Sequence, residues 1–333
     1  MKIFLISVAI ILLTNCNANK NRLMVLDGTA QGTTYHISYL SSGNIDYKHG
    51  IDSILRVIDT SMSTYNPASI ISRINKNDSN VLVDRYFIDV FNKSIEVSKK
   101  TDGLFDVTVG PLVNAWGFGS NKKAAIDSTL IDSILTYVGY KMVMLEGNRI
   151  VKLKPQVMLD FNAIAQGYSV DVIANYLESK GVMDYLVELG GELKAKGRKN
   201  GEEWKVGIDQ PIENVNNNRK LEAIIHLNNK AMATSGNYRK FYEENGQKYT
   251  HIIDPRTGYP AKQNLLSSTV IANDCITADA YATAFIVMGL ERSKKFLEEN
   301  KDLNLEVFFI YDEKGTWKIF STESLKKEIQ ELN

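Results

Sequence analysis

The chain has 333 residues, of which 44% are hydrophobic and 23% charged, and its net charge at neutral pH is zero. This length predicts one large domain or two of average size. A nucleic-acid surface would normally require a basic excess, so no nucleic-acid partner is expected.

The N-terminal residues 1–16 have the layout of a bacterial lipoprotein signal. Lys2 precedes an apolar run at residues 3–13, and the signal ends at Cys16. The run is too short to span a bilayer comfortably. We therefore predict a lipidated Cys16 on the periplasmic or outer side of a membrane, with residues 17–21 as a tether. A plain cleaved signal is the alternative. With Cys16 lipidated, Cys275 is alone and is expected to be a small core residue.

The mature chain is predicted to alternate strands with helices. Period-two patterns favour strands at residues 22–39 (a pair), 81–83, 141–154 (two), 184–189, 193–198, 204–209, 221–227, 238–243, 265–272, 305–311 and 317–320. Helical patterns occur at residues 46–62, 85–100, 126–138, 160–180, 323–332 and around Asp279. Residues 231–236 are interpreted as a small-residue connection. This order predicts an α+β fold, with helices packed on antiparallel sheets, in one domain at residues 22–333.

Two stretches before the middle of the chain have the character of a binding site. Residues 102–119 are dense in glycine and aromatic side chains, and such a loop must be packed, as functional loops often are. Asp160 is predicted at a strand end just before a helix, whose positive end favours an anion or polar ligand. A helix-capping role for Asp160 is the alternative. Gly190 and Gly191 indicate a close backbone approach.

The stretch from residue 249 to residue 289 contains the strongest candidates for a functional site: a tight loop followed by a helix. Pro255, Gly258 and Pro260 predict a tight loop that places His251 beside Asp254 and Arg256. In the helix that follows, Asp279 and Thr283 are four residues apart and so share one face. A carboxylate and a hydroxyl in that arrangement suit a hard cation. The alternative is a satisfied buried carboxylate and a threonine bonded to its own helix.

Taken together, the motifs resemble those of the ApbE-type FAD:protein FMN transferases, over nearly the whole mature chain. The most specific are F-D-V-T-V-G-P-L-V-N-A-W-G-F-G and H-I-I-D-P-R-T-G-Y-P. The others are Q-G-T-T-Y at residues 31–35, S-T-Y at 63–65, residues 160–168, G-G-E at 190–192 and residues 277–284. The resemblance implies an ApbE/T-fold-like catalytic domain.

The resemblance also implies a reaction and its site. Such enzymes cut the pyrophosphate of FAD, pass the FMN phosphate to a Thr or Ser hydroxyl of a protein and release AMP. Mg²⁺ would be held by Asp279 and Thr283 and by backbone oxygens of Ala163 and Ala282. His251 would assist deprotonation of the acceptor hydroxyl. Contacts to FAD are implied at Gln31, Tyr65, Leu104, Phe105, Asp106, Asp160, Gln166 and Ile253.

Two positions depart from the family pattern. Family members often have Met where Gln31 stands and Lys where Gln166 stands. We interpret both changes as tuning rather than loss of activity, because the site residues Asp160, His251, Asp279 and Thr283 are all present.

Two other functions compete with the transferase. An FAD pyrophosphatase would use the same site with water as acceptor, giving FMN and AMP. A flavin-binding lipoprotein would only store or deliver FAD, and it would not need Asp279, Thr283 or His251. The acceptor expected by family analogy is a membrane redox subunit with a segment like Asp-Gly-x-Ser/Thr-Gly-Ala-Thr.

Overall fold

An eight-stranded antiparallel sheet forms the centre of the chain. The computed structural model describes residues 21–119, 124–212, 220–236, 241–244 and 247–332. The strands are β1 (Arg22–Ala30), β2 (Thr33–Ser41), β3 (Val143–Glu146), β4 (Arg149–Lys152), β5 (Tyr185–Leu189), β6 (Glu192–Lys196), β7 (Trp204–Asp209), β8 (Leu221–Leu227), β9 (Lys230–Gly236), β10 (Phe241–Glu244), β11 (Gln247–Thr250), β12 (Leu265–Ala272), β13 (Glu306–Glu313), β14 (Thr316–Ser321) and β15 (Ile329–Glu331).

The helices occupy the segments between these strands. They are α1 (Lys48–Met62), α2 (Ile70–Asn75), α3 (Arg85–Lys100), α4 (Gly110–Ala115), α5 (Ser128–Leu135), α6 (Ala165–Ser179), α7 (Cys275–Met288) and α8 (Leu290–Glu299). Short 3-10 turns lie at Tyr140–Met142, Lys301–Leu303 and Leu325–Lys327. The central sheet has the order β1-β2-β5-β6-β9-β12-β13-β14, and β15-β8-β7 form a separate three-stranded sheet.

Helices α1, α6 and α7 cover one face of the central sheet, which we call the helix face. On β2, Tyr35, Ile37 and Tyr39 point to this face and are fully buried, whereas the residues between them point away. Helix α7 is apolar on all sides, as expected of a helix surrounded by protein. The helix face therefore holds the largest part of the hydrophobic core.

The three-stranded sheet packs on part of the opposite face, which we call the outer face. Trp204 and Ile208 of β7 join Leu193 of β6 and Phe308 of β13 in a second core. The indole nitrogen of Trp204 donates to the carbonyl of Lys196 at 3.0 Å, which fixes β7 above β6. The domain consequently has three layers: helices, a large sheet and a small sheet.

Close packing of α6 on α7 depends on a glycine. A Cβ atom at Gly167 would lie 2.4 Å from the carbonyl oxygen of Cys275 and 2.7 Å from Cβ of Asp279. Any larger residue would push the two helices apart. Cys275 is a buried residue at the start of α7, as the sequence predicted.

The predicted α+β class is confirmed, but several segments differ from their predictions. Residues 81–83 form no strand, although Val83 donates a backbone hydrogen bond to the carbonyl of Asn148. Residues 231–236 belong to strand β9, which pairs with β6 and β12, and its small side chains allow α7 to pack closely on it.

Further differences occur near the C-terminus. Residues 323–332 form a 3-10 turn and strand β15, because pairing with β8 overrides their helical propensity. Helix α8 was not predicted at all. The strand predicted at 238–243 lies partly outside the described residues, and the lipoprotein signal lies wholly outside them. Among the described residues, none of the helices has the length and hydropathy needed to cross a bilayer.

Candidate active site

One cavity of about 1250 Å³ brings together nearly all of the side chains singled out from the sequence. Those lining it are Gln31, Tyr65, Leu104, Phe105, Asp106, Asp160, Ala163, Gln166, His251, Ile253, Asp279 and Thr283. Ala282 is packed in the core beside them and does not line the cavity. The turn at Gly190 and Gly191 also lines the cavity, and residues from both faces of the central sheet do so. The cavity therefore passes around the end of the sheet.

Helix α7 supplies the buried carboxylate of the site. Asp279 is only 7% exposed, and its Oδ2 accepts a hydrogen bond from the amide of Gly167 at 3.0 Å. Among the described residues, no cation pairs with it. Burial therefore raises the pKa of Asp279 from 3.8 to about 7. One turn later, Oγ1 of Thr283 lies 3.0 Å from Oγ of Ser235 on β9.

The donor atoms around Asp279 fit a hard divalent cation with a thin protein shell. They comprise one carboxylate and the hydroxyls of Thr283 and Ser235, which are the oxygen ligands that Mg²⁺ prefers. In the part of the chain that the structure describes, there is no cluster of three or more His, Cys, Asp and Glu side chains. A cation here would thus require oxygens from substrate and water as well. A buried carboxylate without a positive partner is the feature that such an ion would satisfy.

The segment 104–109 forms a rigid wall of the cavity. Oδ1 of Asp106 accepts hydrogen bonds from the backbone amide and hydroxyl of Thr108 at 2.8 and 2.6 Å, and its Oδ2 accepts one from the amide of Tyr140 at 2.5 Å. Leu104 and Phe105 are buried beside it. Burial raises the pKa of Asp106, and the three donors oppose that effect. Asp106 therefore holds this wall in place as well as lining it.

Asp160 lies beside this wall and does not cap the helix that follows. Its amide donates to the carbonyl of Val107 at 2.7 Å, and its Oδ1 accepts from the amide of Asn162 at 2.8 Å. Helix α6 begins only at Ala165 and has no side-chain cap. The predicted position just before the helix is therefore wrong by a short turn, although the side chain reaches the cavity. Desolvation raises the pKa of Asp160.

The two glutamines that depart from the family pattern both contact α6 or its surroundings. Gln31 has a positive φ of 52° in the β1–β2 turn, and its Nε2 donates to Oγ of Ser169 at 2.7 Å. Its Oε1 is buried without a hydrogen-bond partner in the described residues. Gln166 lies against Gly190, where an added Cβ would be 3.0 Å from its Nε2. These amides border the passage around the end of the sheet.

His251 follows directly after β11, as expected for a strand end entering a loop. Its ring meets that of Phe118 edge to face, with 6.4 Å between centroids. The loop beyond it is held by Trp116, whose indole nitrogen donates to the carbonyl of Gly258 at 2.8 Å. Strand β12, which comes after this loop, pairs with β9 and β13, and not with residues 249–260.

Asp254 and Arg256 do not line the cavity, contrary to the arrangement expected beside His251. Arg256 folds back on Asp254 with 3.2 Å between Nη2 and Oδ2, and its amide donates to Oδ1 of the same carboxylate at 2.9 Å. This pair stabilises the turn. Tyr65 lies at the rim of the cavity and is 66% exposed, so it can stack on a planar ligand only from the outside.

Sequence reasoning missed Ser235 and the residues that fix α7. Ser235 escaped notice because its segment was interpreted as a connection. Asp171 of α6 accepts from the amide of Ile276 at 2.9 Å and from Nζ of Lys194 at 2.8 Å, so it ties α7 to α6 and β6. A buried carboxylate in the middle of an otherwise apolar helix was the available signal.

Fold and cavity together define an α+β domain that encloses a polar, nucleotide-sized site at the end of its central sheet. Comparison with known proteins then gives the family. The model of the ApbE family matches residues 31–309, and the chain belongs to this family. The resemblance inferred from the motifs is thereby confirmed.

The relatives share both sequence and fold. The FAD:protein FMN transferase of Haemophilus influenzae is 36% identical, covering 97% of this chain and 96% of the relative. That of Escherichia coli K12 is 32% identical, covering 91% and 88%. The structure of the flavin transferase ApbE from Vibrio cholerae superposes with a TM-score of 0.83 at 35% identity, covering 92% of this chain and 99% of that one.

Proposed function

We propose that this protein is an Mg²⁺-dependent FAD:protein FMN transferase that attaches FMN to a Thr or Ser hydroxyl of an acceptor protein as a phosphoester. The observation that carries the proposal is the convergence of Asp279, Thr283, Asp160 and His251 on one cavity large enough for a dinucleotide. The names of the family relatives support the same activity.

The reaction balances with the groups present. The acceptor oxygen attacks the phosphorus of the FMN half, and the bond from that phosphorus to the bridging oxygen breaks, so AMP leaves. The hydroxyl proton passes to the imidazole of His251, which acts as the general base. Asp160 and the wall at residues 104–109 position the flavin nucleotide. Acceleration comes from positioning and charge stabilisation, without a covalent enzyme intermediate.

In this proposal, Mg²⁺ binds through the side chains of Asp279 and Thr283, with backbone oxygens of Ala163 and Ala282 as the further ligands that the family resemblance implies. A bound Mg²⁺ would supply positive charge to offset that of the diphosphate. The unpaired and buried state of Asp279 supports this assignment. The close contact between α6 and α7 fixes the position of the Asp279 carboxylate in the cavity.

A single mixture tests the activity. The mature chain is incubated with FAD, Mg²⁺ and a peptide containing Asp-Gly-x-Ser/Thr-Gly-Ala-Thr, and the peptide is weighed by mass spectrometry. A transferase adds one FMN less water to the peptide and releases AMP in equal amount. AMP and free FMN without peptide modification would indicate a pyrophosphatase instead. Bound FAD with neither product would indicate a storage protein.

We also propose that cleavage of the signal leaves a lipidated Cys16 as the first residue of the mature protein, and that residues 22–333 form the catalytic domain on the outer side of a membrane. The basic start, the short apolar run and Cys16 support this location. Cys16→Ala should release the protein from the membrane fraction while leaving its FAD-dependent activity intact. Unchanged fractionation of that variant would contradict the anchor.

A further inference from the structure

Part of the cavity lies away from every residue implied in flavin or metal binding. We call it the outer lobe and define it by His36, Ser38, Leu186, Glu188 and residues 205–209 of β7. His36 and Ser38 alternate on β2 with buried residues of the helix face, so they belong to the outer face of the central sheet. The outer lobe is therefore bounded by that face and by the small sheet.

The contribution of β7 is made by its edge and not by one of its faces. Side chains of a strand alternate between two faces, yet five consecutive residues of β7 line the outer lobe. Consecutive residues of a strand share only an edge. Strand β7 is also the last strand of its sheet, in the order β15-β8-β7.

Hydrogen bonds of β8 show which backbone groups of β7 point into the lobe. On β8, the amide of His226 donates to Glu328, and the carbonyl of Glu222 accepts from Leu332, so the even-numbered residues of β8 face β15. The odd-numbered residues, which face β7, pair with Trp204, Val206 and Ile208. By alternation, the amide and carbonyl groups of Lys205 and Gly207 point away from β8, towards the lobe.

The floor of the lobe is the part of the outer face that the small sheet leaves uncovered. Strand β7 sits above β6, and the next strands in the central sheet are β5, β2 and β1. Val25 of β1, on the same face, is 56% exposed, and Leu186 of β5 is only partly buried. The three-stranded sheet thus ends at β7, and the outer face beyond it has room for one more strand.

We propose that β7 binds an extended segment of the acceptor protein as a fourth strand of the small sheet, with its Thr or Ser directed around the end of the central sheet towards Asp279. Such a strand would lie about 4.8 Å from β7 and about 10 Å above β5 and β2. Main-chain pairing would give affinity, and the floor would select side chains at alternate positions. This inference rests on the proposed transferase function.

Continuity of the cavity favours an acceptor segment over other occupants. The outer lobe joins the Asp279 side through Gly190 and Gly191, which leave room because they carry no side chains. His36 is paired with Asp27 on the floor, with 2.5 Å between Nδ1 and Oδ1, so these two side chains offer no unpaired partner to a bound segment. Gly207 also allows Leu221 to lie across β7, where an added Cβ would be 2.6 Å from its Cδ2. Leu221 reaches the lobe and offers an apolar contact.

The edge can be tested by removing one amide. Lys205→Pro deletes an N–H that points into the lobe and preserves the ladder to β8, since proline is tolerated at such edge positions. We expect the KM for the acceptor peptide to rise about tenfold with kcat little changed, because one buried hydrogen bond is lost. Lys205→Ala is the matched control: it removes the same side chain and keeps the amide, so the difference in KM between the two variants reports on that amide. Melting temperature and FAD affinity verify that both variants are folded.

A second measurement uses the wild-type enzyme and modified peptides. N-methylation of single peptide amides should impair transfer at alternate positions only, which is the period of a paired strand. An unchanged KM in Lys205→Pro together with no alternation would overturn the proposal, even while wild-type transfer upholds the proposed function. Weakened FAD binding in Lys205→Pro would assign the edge to the flavin instead. A shift in oligomeric state would assign it to a second copy of the chain.

Discussion

Two buried carboxylates lie in the contact between α6 and α7, and their surroundings differ. Asp171 accepts hydrogen bonds from Lys194 and from the amide of Ile276, so both of its oxygens are engaged. Asp279 accepts one hydrogen bond, from Gly167. Burial raises the pKa of both, but only for Asp171 does a lysine oppose the shift.

The difference shows that one pair of helices carries a structural carboxylate and a carboxylate available for binding. Both oxygens of Asp171 accept hydrogen bonds within the protein, and these bonds fix the start of α7. Asp279 lies one turn further along α7, and its carboxylate oxygens can still bind a ligand that the chain does not supply. Its carboxylate is buried at a cost in free energy that the folded protein alone does not recover.

The largest effect is expected from Asp279→Ala. It removes the one charged group proposed to bind Mg²⁺ and should lower transfer on the order of 10⁴-fold, since metal assistance is worth several kcal/mol. Thr283→Val, nearly isosteric, should impair transfer less. Asp274→Ala is the matched control, because it removes a carboxylate that only caps the same helix. Survival of Mg²⁺-dependent transfer in Asp279→Ala would remove this site from the mechanism.

The variant His251→Ala tests whether a residue outside α6 and α7 acts as the general base. Loss of general-base assistance should lower single-turnover transfer about 10²–10⁴-fold with FAD affinity nearly unchanged. If His251 only supports the loop, melting temperature and FAD affinity should fall together. An intact transfer rate in a folded variant would leave water as the remaining proton acceptor.

Asp171→Ala should act on stability first. It leaves Lys194 buried without its partner and the amide of Ile276 without its acceptor, at a cost of about 3–5 kcal/mol in unfolding free energy. The double variant Asp171→Leu with Lys194→Met should recover part of this loss, since no buried charge remains. Urea unfolding measures both. A double variant no more stable than Asp171→Ala would show that the cap on α7 dominates over the ion pair.

The sequence predicted features that depend on neighbouring residues, and it did not predict features that depend on distant parts of the chain. The spacing of Asp279 and Thr283 on one helix is local, and the structure places both side chains in the cavity. Strand β9 could not be recognised, because its alanines and serine gain strand structure only from neighbours on both sides and from α7 above. For the same reason Ser235 was missed.

The arrangement of the His251 loop illustrates the second limit. Its turn residues predicted a tight loop correctly, but not which strand would lie beside it. That choice depends on Trp116, which is more than a hundred residues away in the chain and hydrogen-bonds to Gly258. Likewise, no local pattern distinguishes the edge of β7 from the interior of a sheet, because side-chain alternation is the same in both.

Per pH unit, the smallest predicted change is in the stability of the folded chain, and it concerns Asp279 alone. Its pKa is about 7 when folded and 3.8 as an ordinary aspartate, so between these values the folded chain holds one proton that the unfolded chain has lost. Stability without Mg²⁺ should therefore fall as pH rises through this window, by up to about 1.4 kcal/mol per pH unit. Binding of Mg²⁺ requires the ionised form, so affinity should fall about tenfold per pH unit below 7. Calorimetric titration with Mg²⁺ at pH 5.5, 6.5 and 7.5 measures this slope, and Asp279→Asn isolates it in unfolding experiments. If wild type and Asp279→Asn show the same dependence of stability on pH, Asp279 is already ionised in the folded chain, and the contrast with Asp171 fails.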